Sequence, residues 1–452
     1  MTLNTHFWPA VLTNRFNQPF SAAVFSSRFQ QPFSPTKAPV MTMTTPKPAH
    51  QSHWPLWHQG QPLVNNRTLD QVAAIAGQTP FYVYDRTRIS ARVAQLRQAL
   101  PARIKLHYAI KANPMPAVVQ LLAGLVDGLD VASQGELRIA LATATPAEEI
   151  SFAGPGKGKQ EILAAVAAGI VVNVESRLQI MHLGDAAKQL GLPARVALRV
   201  NPAFELKASG MKMTGGAKPF GIDSEQIPAA LALCRQQGME PEGLHLFTGS
   251  QNLKPEAICE AHTGVLRLAA ELIRDNQLRL RFINIGGGLG IPYFPGEQAL
   301  DLESIAANLQ HELEQIESLI ATTDIVMELG RYLVGEAGLY VCRVIDKKQS
   351  RGTTYLVTDG GLHHHLSNSG NFGQVIRKNY PVDACPASLT EETEPVTIVG
   401  PLCTPLDILA DNMELPRCEL GDLIVVRQSG AYGSSASPQG FLSHPPVVEL
   451  LL

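Results

Sequence analysis

The sequence predicts an α/β TIM barrel followed by a C-terminal all-β domain of barrel or sandwich type. Three observations carry that expectation. Eight short β-rich runs alternate with helix-like stretches over roughly 250 residues, the size and rhythm of such a barrel. Polar and glycine-rich segments follow those runs, as they do in a barrel whose strand ends surround one mouth. Beyond about Gly335 the long helical stretches stop, and short runs joined by Gly, Pro and Asn turns continue to the C-terminus. A doubly wound sheet would also alternate, but with fewer strands and usually a single glycine-rich turn.

In chain order, Met1 to Thr68 contains no Asp or Glu and is dominated by Phe, Ser, Pro, Gln and Thr. Residues 1–50 are expected to be a disordered leader, or an over-extended start with the true one near Met41. Residues 51–79 and 336–452 are assigned to the β domain and residues 80–335 to the barrel. Within the barrel the candidate strands are 105–109, 128–131, 149–152, 170–174, 195–200, 243–247, 281–285 and 324–328. Periodic segments such as 88–100, 160–168, 178–190, 227–237 and 255–274 lie between them. In the β domain, 341–345, 354–358, 396–399, 423–427 and 447–451 read as strands, joined by strands from around 54–64 and 81–84.

Composition excludes several classes. The net charge of -3 leaves no electrostatic footprint for nucleic acid. No apolar run reaches the length of a membrane-spanning helix, about 18 residues. The six cysteines are scattered without CxxC pairs, which argues against a zinc ribbon or disulfide framework and fits a reducing cytoplasm.

The chemistry gathers at the strand ends. Lys111, in Tyr108-Ala109-Ile110-Lys111-Ala112-Asn113, closes an apolar run where a strand hands over to a loop. There a lysine can lose its proton by desolvation and form a Schiff base. Gly286-Gly287-Gly288 leaves backbone N–H groups free to approach an anion, and Arg331 can grip a phosphate in a fork. Their bland alternatives are a flexible loop and a surface salt bridge. Glu328, ending the eighth candidate strand, can keep a pyridine nitrogen protonated; its alternative is an ion pair with Arg331. Cys403 and Tyr432 are more often packing residues, and gain interest only from their neighbours. His363-His364-His365 makes a poor chelate, because adjacent residues of an extended segment alternate faces, and no metal is expected. Together these residues suggest one pyridoxal phosphate (PLP) site.

Seven motifs in order, YAIKAN, DVASQGEL, HLFTGSQN, INIGGGLG, ELGRY, GPLCTPLD and GAYG, resemble the fold-type III PLP-dependent amino-acid decarboxylases, the diaminopimelate and ornithine decarboxylase group. The resemblance runs from about Phe81 to the C-terminus. It implies a PLP-binding barrel, a C-terminal β domain and a homodimer with shared active sites. By motif position Lys111 resembles the Schiff-base lysine, and Gly286, Gly287, Gly288 and Arg331 the phosphate binders, assisted by Ser250 and Tyr432. Glu328 resembles the partner of the ring nitrogen, and Asp130 and Phe247 complete the cofactor-binding set. Cys403 resembles the proton donor delivered from the other subunit. Thr404, Asp407 and Arg199 are the substrate candidates.

Three departures stand out. Phe247 occupies the place of a stacking histidine, Leu329 that of a proline, and Thr404 that of an acid that holds a distal ammonium. With GMKMTGGAKPFGID and DGGLHHHLSNSGNFGQV, they resemble a narrower branch. That branch contains exosortase- and exopolysaccharide-associated decarboxylases and those acting on glutamate tethered to an acyl-carrier protein. The expected function is decarboxylation of an amino acid or its carrier-bound derivative in the cytoplasm. The expected partners are the amino-acid substrate, an acyl-carrier protein and a second copy of the chain, with no nucleic acid and no membrane. The rivals are diaminopimelate decarboxylase itself and a catalytically dead regulatory homologue.

Overall fold

The computed structural model describes residues 46–47, 54, 56–204, 211–212, 216–370, 378–387 and 392–452, so the expected leader falls almost wholly outside the described residues. Pro46–Leu452 forms one compact unit. Its first half is a closed parallel barrel. The strands are β2 (Ile104–Ala109), β3 (Gly128–Val131), β4 (Ile150–Phe152), β5 (Val171–Val174), β6 (Arg195–Asn201), β7 (Gly243–His245), β8 (Phe282–Asn284) and β9 (Asp324–Leu329). They pair in the order β6-β7-β8-β9-β2-β3-β4-β5, and β5 returns to β6. The eight runs seen in the sequence are these strands, to within two residues at each end.

Local chemistry sets the helices that return the chain to the bottom of the barrel. Asp85, Ser133 and Ser176 accept hydrogen bonds from free N–H groups at the starts of α1 (Arg86–Ala99), α2 (Gln134–Leu141) and α4 (Arg177–Leu190). Gly169 and Gly191 end α3 (Lys159–Ala168) and α4 in left-handed conformation. The outward strand face, including Leu106, Tyr108, Leu129 and Ile150, packs under these helices in one apolar core.

The inner face departs from the branched apolar layers usual in such barrels. Across β2 to β5 it carries a polar chain: His107 Nδ1 lies 3.5 Å from Asp130, Ser151 donates to Asp130, and Asn173 donates to Ser151 at 3.0 Å. A small apolar cluster of Val171, Ala197, Phe282 and Val326 fills the rest. Gly128 is glycine for a steric reason, since a Cβ there would overlap the His107 ring.

The β domain is one sheet ordered β12 (Val382–Cys385), β15 (Leu423–Val426), β10 (Gly338–Ser350), β11 (Thr353–Thr358), β13 (Thr393–Val399), β14 (Ile408–Pro416). β1 (Phe81–Tyr84) joins it from before the barrel, between β10 and β16 (Val448–Leu451). The segment around Trp54–Val64 behaves differently from expectation. It makes a separate two-stranded ribbon, Trp57–His58 with Gln61–Pro62. It joins the domain by packing: Trp54 and Val64 are buried against Phe81, Val83, Leu339 and Val341. The main apolar core passes without a break from the barrel into Tyr82, Tyr340 and Leu356 of the β domain, which holds the two halves together.

Candidate active site

β2 ends in a single 3-10 turn, Ile110–Ala112, and that turn aims Lys111 into the barrel mouth. Register pairs Glu328 with His107 and Leu329 with Tyr108, so Glu328 lies just below the turn. Lys111 Nζ is 3.5 Å from Glu328 Oε1; the lysine side chain keeps 40% of its surface open and the carboxylate only 4%. Burial opposes the charge on Lys111, but Glu328 outweighs it and holds the ammonium above its ordinary value. The sequence expectation of a lysine deprotonated by desolvation is therefore corrected, because a buried carboxylate is its neighbour. Burial likewise works against ionised Glu328, yet Lys111, then His245, depress its pKa well below the carboxylate range. The pair is charged at neutral pH.

Gly286 and Gly288 have φ of 72° and 87°, which lets the chain turn sharply after β8. Asn284 Oδ1 accepts from Gly286 N at 2.8 Å, and Gly286 O accepts from Glu328 N at 2.8 Å, so the turn and the carboxylate share one backbone frame. A Cβ on Gly287 would overlap the Glu328 carbonyl oxygen. Arg331 begins the next short helix. Its Nη1 donates to Tyr293 Oη at 2.8 Å, its guanidinium lies 4.6 Å from the Tyr432 ring centroid, and its buried Nε has no partner. Tyr432 comes from the β domain with a φ of 53°, and its N–H donates to Ala112 O at 2.8 Å. Asn113 Nδ2 adds a hydrogen bond to Gly430 O at 3.0 Å. The lysine turn and the tyrosine loop are thereby tied together.

Lys111, Phe247, Ser250, Gly288, Glu328, Arg331 and Tyr432 all line one pocket. The Phe247 ring lies 5.3 Å from Lys111 Nζ. The other candidates are placed elsewhere. Asp130 belongs to the buried chain with Ser151 and His107. Arg199 donates to Glu175 at 3.0 Å, beside Lys157 at 3.7 Å from the same carboxylate, in a buried ion cluster at the mouth. Cys403 is exposed and does not line the pocket of its own chain. Thr404 and Asp407 share its turn. Asp407 is buried and accepts from Leu362 N at 2.6 Å and Leu402 N at 2.9 Å, so it holds the turn together and is not free for substrate. His363, His364 and His365 are buried, and among the described residues no group of three ligating side chains converges as a metal site.

Sequence reasoning missed two members. His245, with Nε2 3.3 Å from Glu328 Oε2, was legible through strand alternation, two residues before Phe247. Tyr293, the partner of Arg331, had no local signal.

A family model for the pyridoxal-dependent decarboxylases, pyridoxal binding domain, matches residues 86–335. The chain belongs to that family. It is 36% identical over 380 residues, 83% of this chain and 89% of the relative, to an L-glutamyl-(BtrI acyl-carrier protein) decarboxylase of Niallia circulans. A diaminopimelate decarboxylase of Campylobacter jejuni is 34% identical over 378 residues, 83% of this chain and 90% of that protein. The crystal structure of diaminopimelate decarboxylase from Helicobacter pylori complexed with L-lysine superposes with a TM-score of 0.76 at 29% identity, covering 85% of this chain and 94% of that one. The decarboxylase is thus a fold-type III PLP enzyme, a barrel with a β domain.

The pocket fits the cofactor on its own chemistry. It offers an accessible amine, a buried carboxylate, a sharp glycine turn and a buried arginine nitrogen without a partner. No helix among the described residues is long and apolar enough to cross a membrane.

Proposed function

We propose that the decarboxylase acts on an amino acid presented on an acyl-carrier protein, with Lys111 as the cofactor-binding amine. Gly286, Gly287, Gly288, Ser250, Arg331 and Tyr432 would hold the phosphate, and Glu328 would keep the ring nitrogen protonated. PLP, when bound, takes up the electron pair released as the Cα–carboxylate bond breaks. Phe247, which lines the pocket, would offer an apolar face to the cofactor and keep water from it. Asn113 and the Ala112–Tyr432 contact fix the Lys111 turn, so that its amine reaches the mouth in one orientation. Cys403, exposed on the β domain, would return a proton to Cα from the partner of a homodimer.

The observation that carries this reading is the Lys111–Glu328 pair, 3.5 Å apart beside the glycine turn. The carrier is supported by the Niallia circulans relative, and by Thr404 standing where an acid would hold a free substrate's distal ammonium. The long loop after β6 also supports it. Met211–Lys212 pairs with Gly249–Ser250, Ser250 lines the pocket, and Lys218 further along the same loop is exposed. Lys207 lies outside the described residues. The test is to follow carbon dioxide release from glutamate tethered to an acyl-carrier protein, from free glutamate and from free diaminopimelate. The tethered substrate should turn over far faster than either free one, and Lys212→Glu with Lys218→Glu should slow only that reaction. Efficient turnover of free diaminopimelate with no gain from a carrier would favour the second reading, diaminopimelate decarboxylase, which the Campylobacter jejuni relative supports.

A further inference from the structure

Glu328 meets charged or titratable groups from three directions. Lys111 comes from the turn after β2 and approaches Oε1 at 3.5 Å. Arg199 on β6 acts at longer range, since its Nη1 is committed to Glu175. His245, the last residue of β7, brings Nε2 to 3.3 Å from Oε2. Both side chains of that last contact are almost wholly buried, at 2% and 4% exposure. The contact is within ion-pair range but short of an aligned hydrogen bond: neither ring nitrogen of His245 completes one, and Glu328 Oε2 has none.

Two buried orphans facing each other need only a small rotation to pair, and each carries its full desolvation cost until they do. Nδ1 of His245 also lacks a partner. Nε2 is therefore the ring nitrogen placed to donate to Glu328. The ring is further fixed by Phe247, edge-on with centroids 6.4 Å apart. Phe247 itself has no N–H to give.

We propose that His245 is the positioning residue for Glu328: its Nε2–H holds Oε2, which fixes the carboxylate plane and leaves Oε1 on the side of Lys111 and the cofactor. This rests on the reading of Glu328 as the partner of the ring nitrogen. One oxygen anchored from below and one presented above is an arrangement that a carboxylate with free rotation would not keep. His245 is not among the residues that line the pocket, so it would act through Glu328.

The test uses the holoenzyme and two readouts that do not need the substrate. One is the apparent dissociation constant for PLP from quenching of intrinsic fluorescence. The other is the pH midpoint of the visible absorbance band of the bound cofactor. His245→Leu should weaken PLP binding about tenfold and move the midpoint by about one pH unit, the effect of one lost hydrogen bond to a buried charge. His245→Gln, whose amide reaches the Nε2 position, should return both to within about twofold of wild type. A His245→Leu variant with both values unchanged, or a Gln variant no better than Leu, overturns the proposal. If His245→Leu does not fold, His245→Asn replaces it, because its amide stops short at the Nδ1 position; equal values for Asn and Gln then overturn the proposal. Glu328→Gln separates the two levels. If it alters neither readout, the ring-nitrogen reading fails as well; if it disrupts both while His245→Leu disrupts neither, only the role of His245 fails.

Discussion

Replacing Gly287 by alanine probes the frame that joins the glycine turn to Glu328. The added Cβ would overlap the Glu328 carbonyl oxygen, with Leu329 Cδ2 at 2.9 Å and the Glu328 carbonyl carbon at 3.0 Å. Two of those three obstacles are backbone, so no side chain can swing aside to admit the methyl group. Relief requires the ends of β8 and β9 to part, and Glu328 N–H, which donates to Gly286 O at 2.8 Å, must follow. Overpacking of this kind costs about 1–3 kcal/mol, and rigid backbone on one side puts Gly287→Ala near the upper figure. The same shift displaces the turn, whose Gly286 N–H is held by Asn284 Oδ1, and the carboxylate together. PLP affinity should therefore fall by about 10- to 100-fold, the equivalent of about 1.4–2.8 kcal/mol. Urea unfolding of the apoprotein measures the first effect, and fluorescence titration with PLP the second. Gly156→Ala is the control, since nothing lies within 4 Å of its Cβ position. If Gly287→Ala binds PLP within twofold of wild type and unfolds within about 0.5 kcal/mol of it, the shared-frame argument is wrong.

Two further outcomes follow from particular residues. Cys403→Ala and Lys111→Ala should each be nearly inactive, and mixing them should regenerate up to about a quarter of wild-type activity, because random pairing leaves one intact site in half the dimers; no recovery after verified subunit exchange would count against a shared site. His107 is opposed by burial but lifted to about 9 by Asp130, and then Glu149, from an ordinary 6.5. Its stabilising contribution is fully present below pH 6.5 and is lost as pH rises through about 9, amounting to about 3 kcal/mol at most. Urea unfolding at the two ends of that window should show the loss in wild type and not in His107→Gln; an identical pH profile in both would remove His107 from the account.

The barrel was legible because its strands are short apolar runs that end in chemically conspicuous loops. The lysine turn, the glycine turn and Glu328 sit where those loops begin, and the strand order brings β7, β8, β9 and β2 side by side. What stayed hidden depends on contacts distant in sequence. The direction of the Lys111 shift follows from Glu328, a residue from the far end of the barrel. Asp407 looked available to substrate until its oxygens proved to be occupied by Leu362 and Leu402 N–H groups. β14 escaped notice because Asp411, Asn412 and Glu414 interrupt its apolar residues, and Asn412, with a φ of 48°, marks a local irregularity. The polar inner face of the barrel was also unforeseen, since His107, Ser151 and Asn173 read as isolated polar residues within apolar runs.

Lys111 is the residue proposed to carry the cofactor. Borohydride reduction of the holoenzyme, followed by proteolysis and mass spectrometry, tests it directly, because reduction makes the lysine–PLP link permanent. A single phosphopyridoxyl-modified peptide containing Lys111 is expected, and none from Lys111→Ala. Modification of another lysine in wild type, Lys157 included, or an unchanged label in Lys111→Ala, would contradict it.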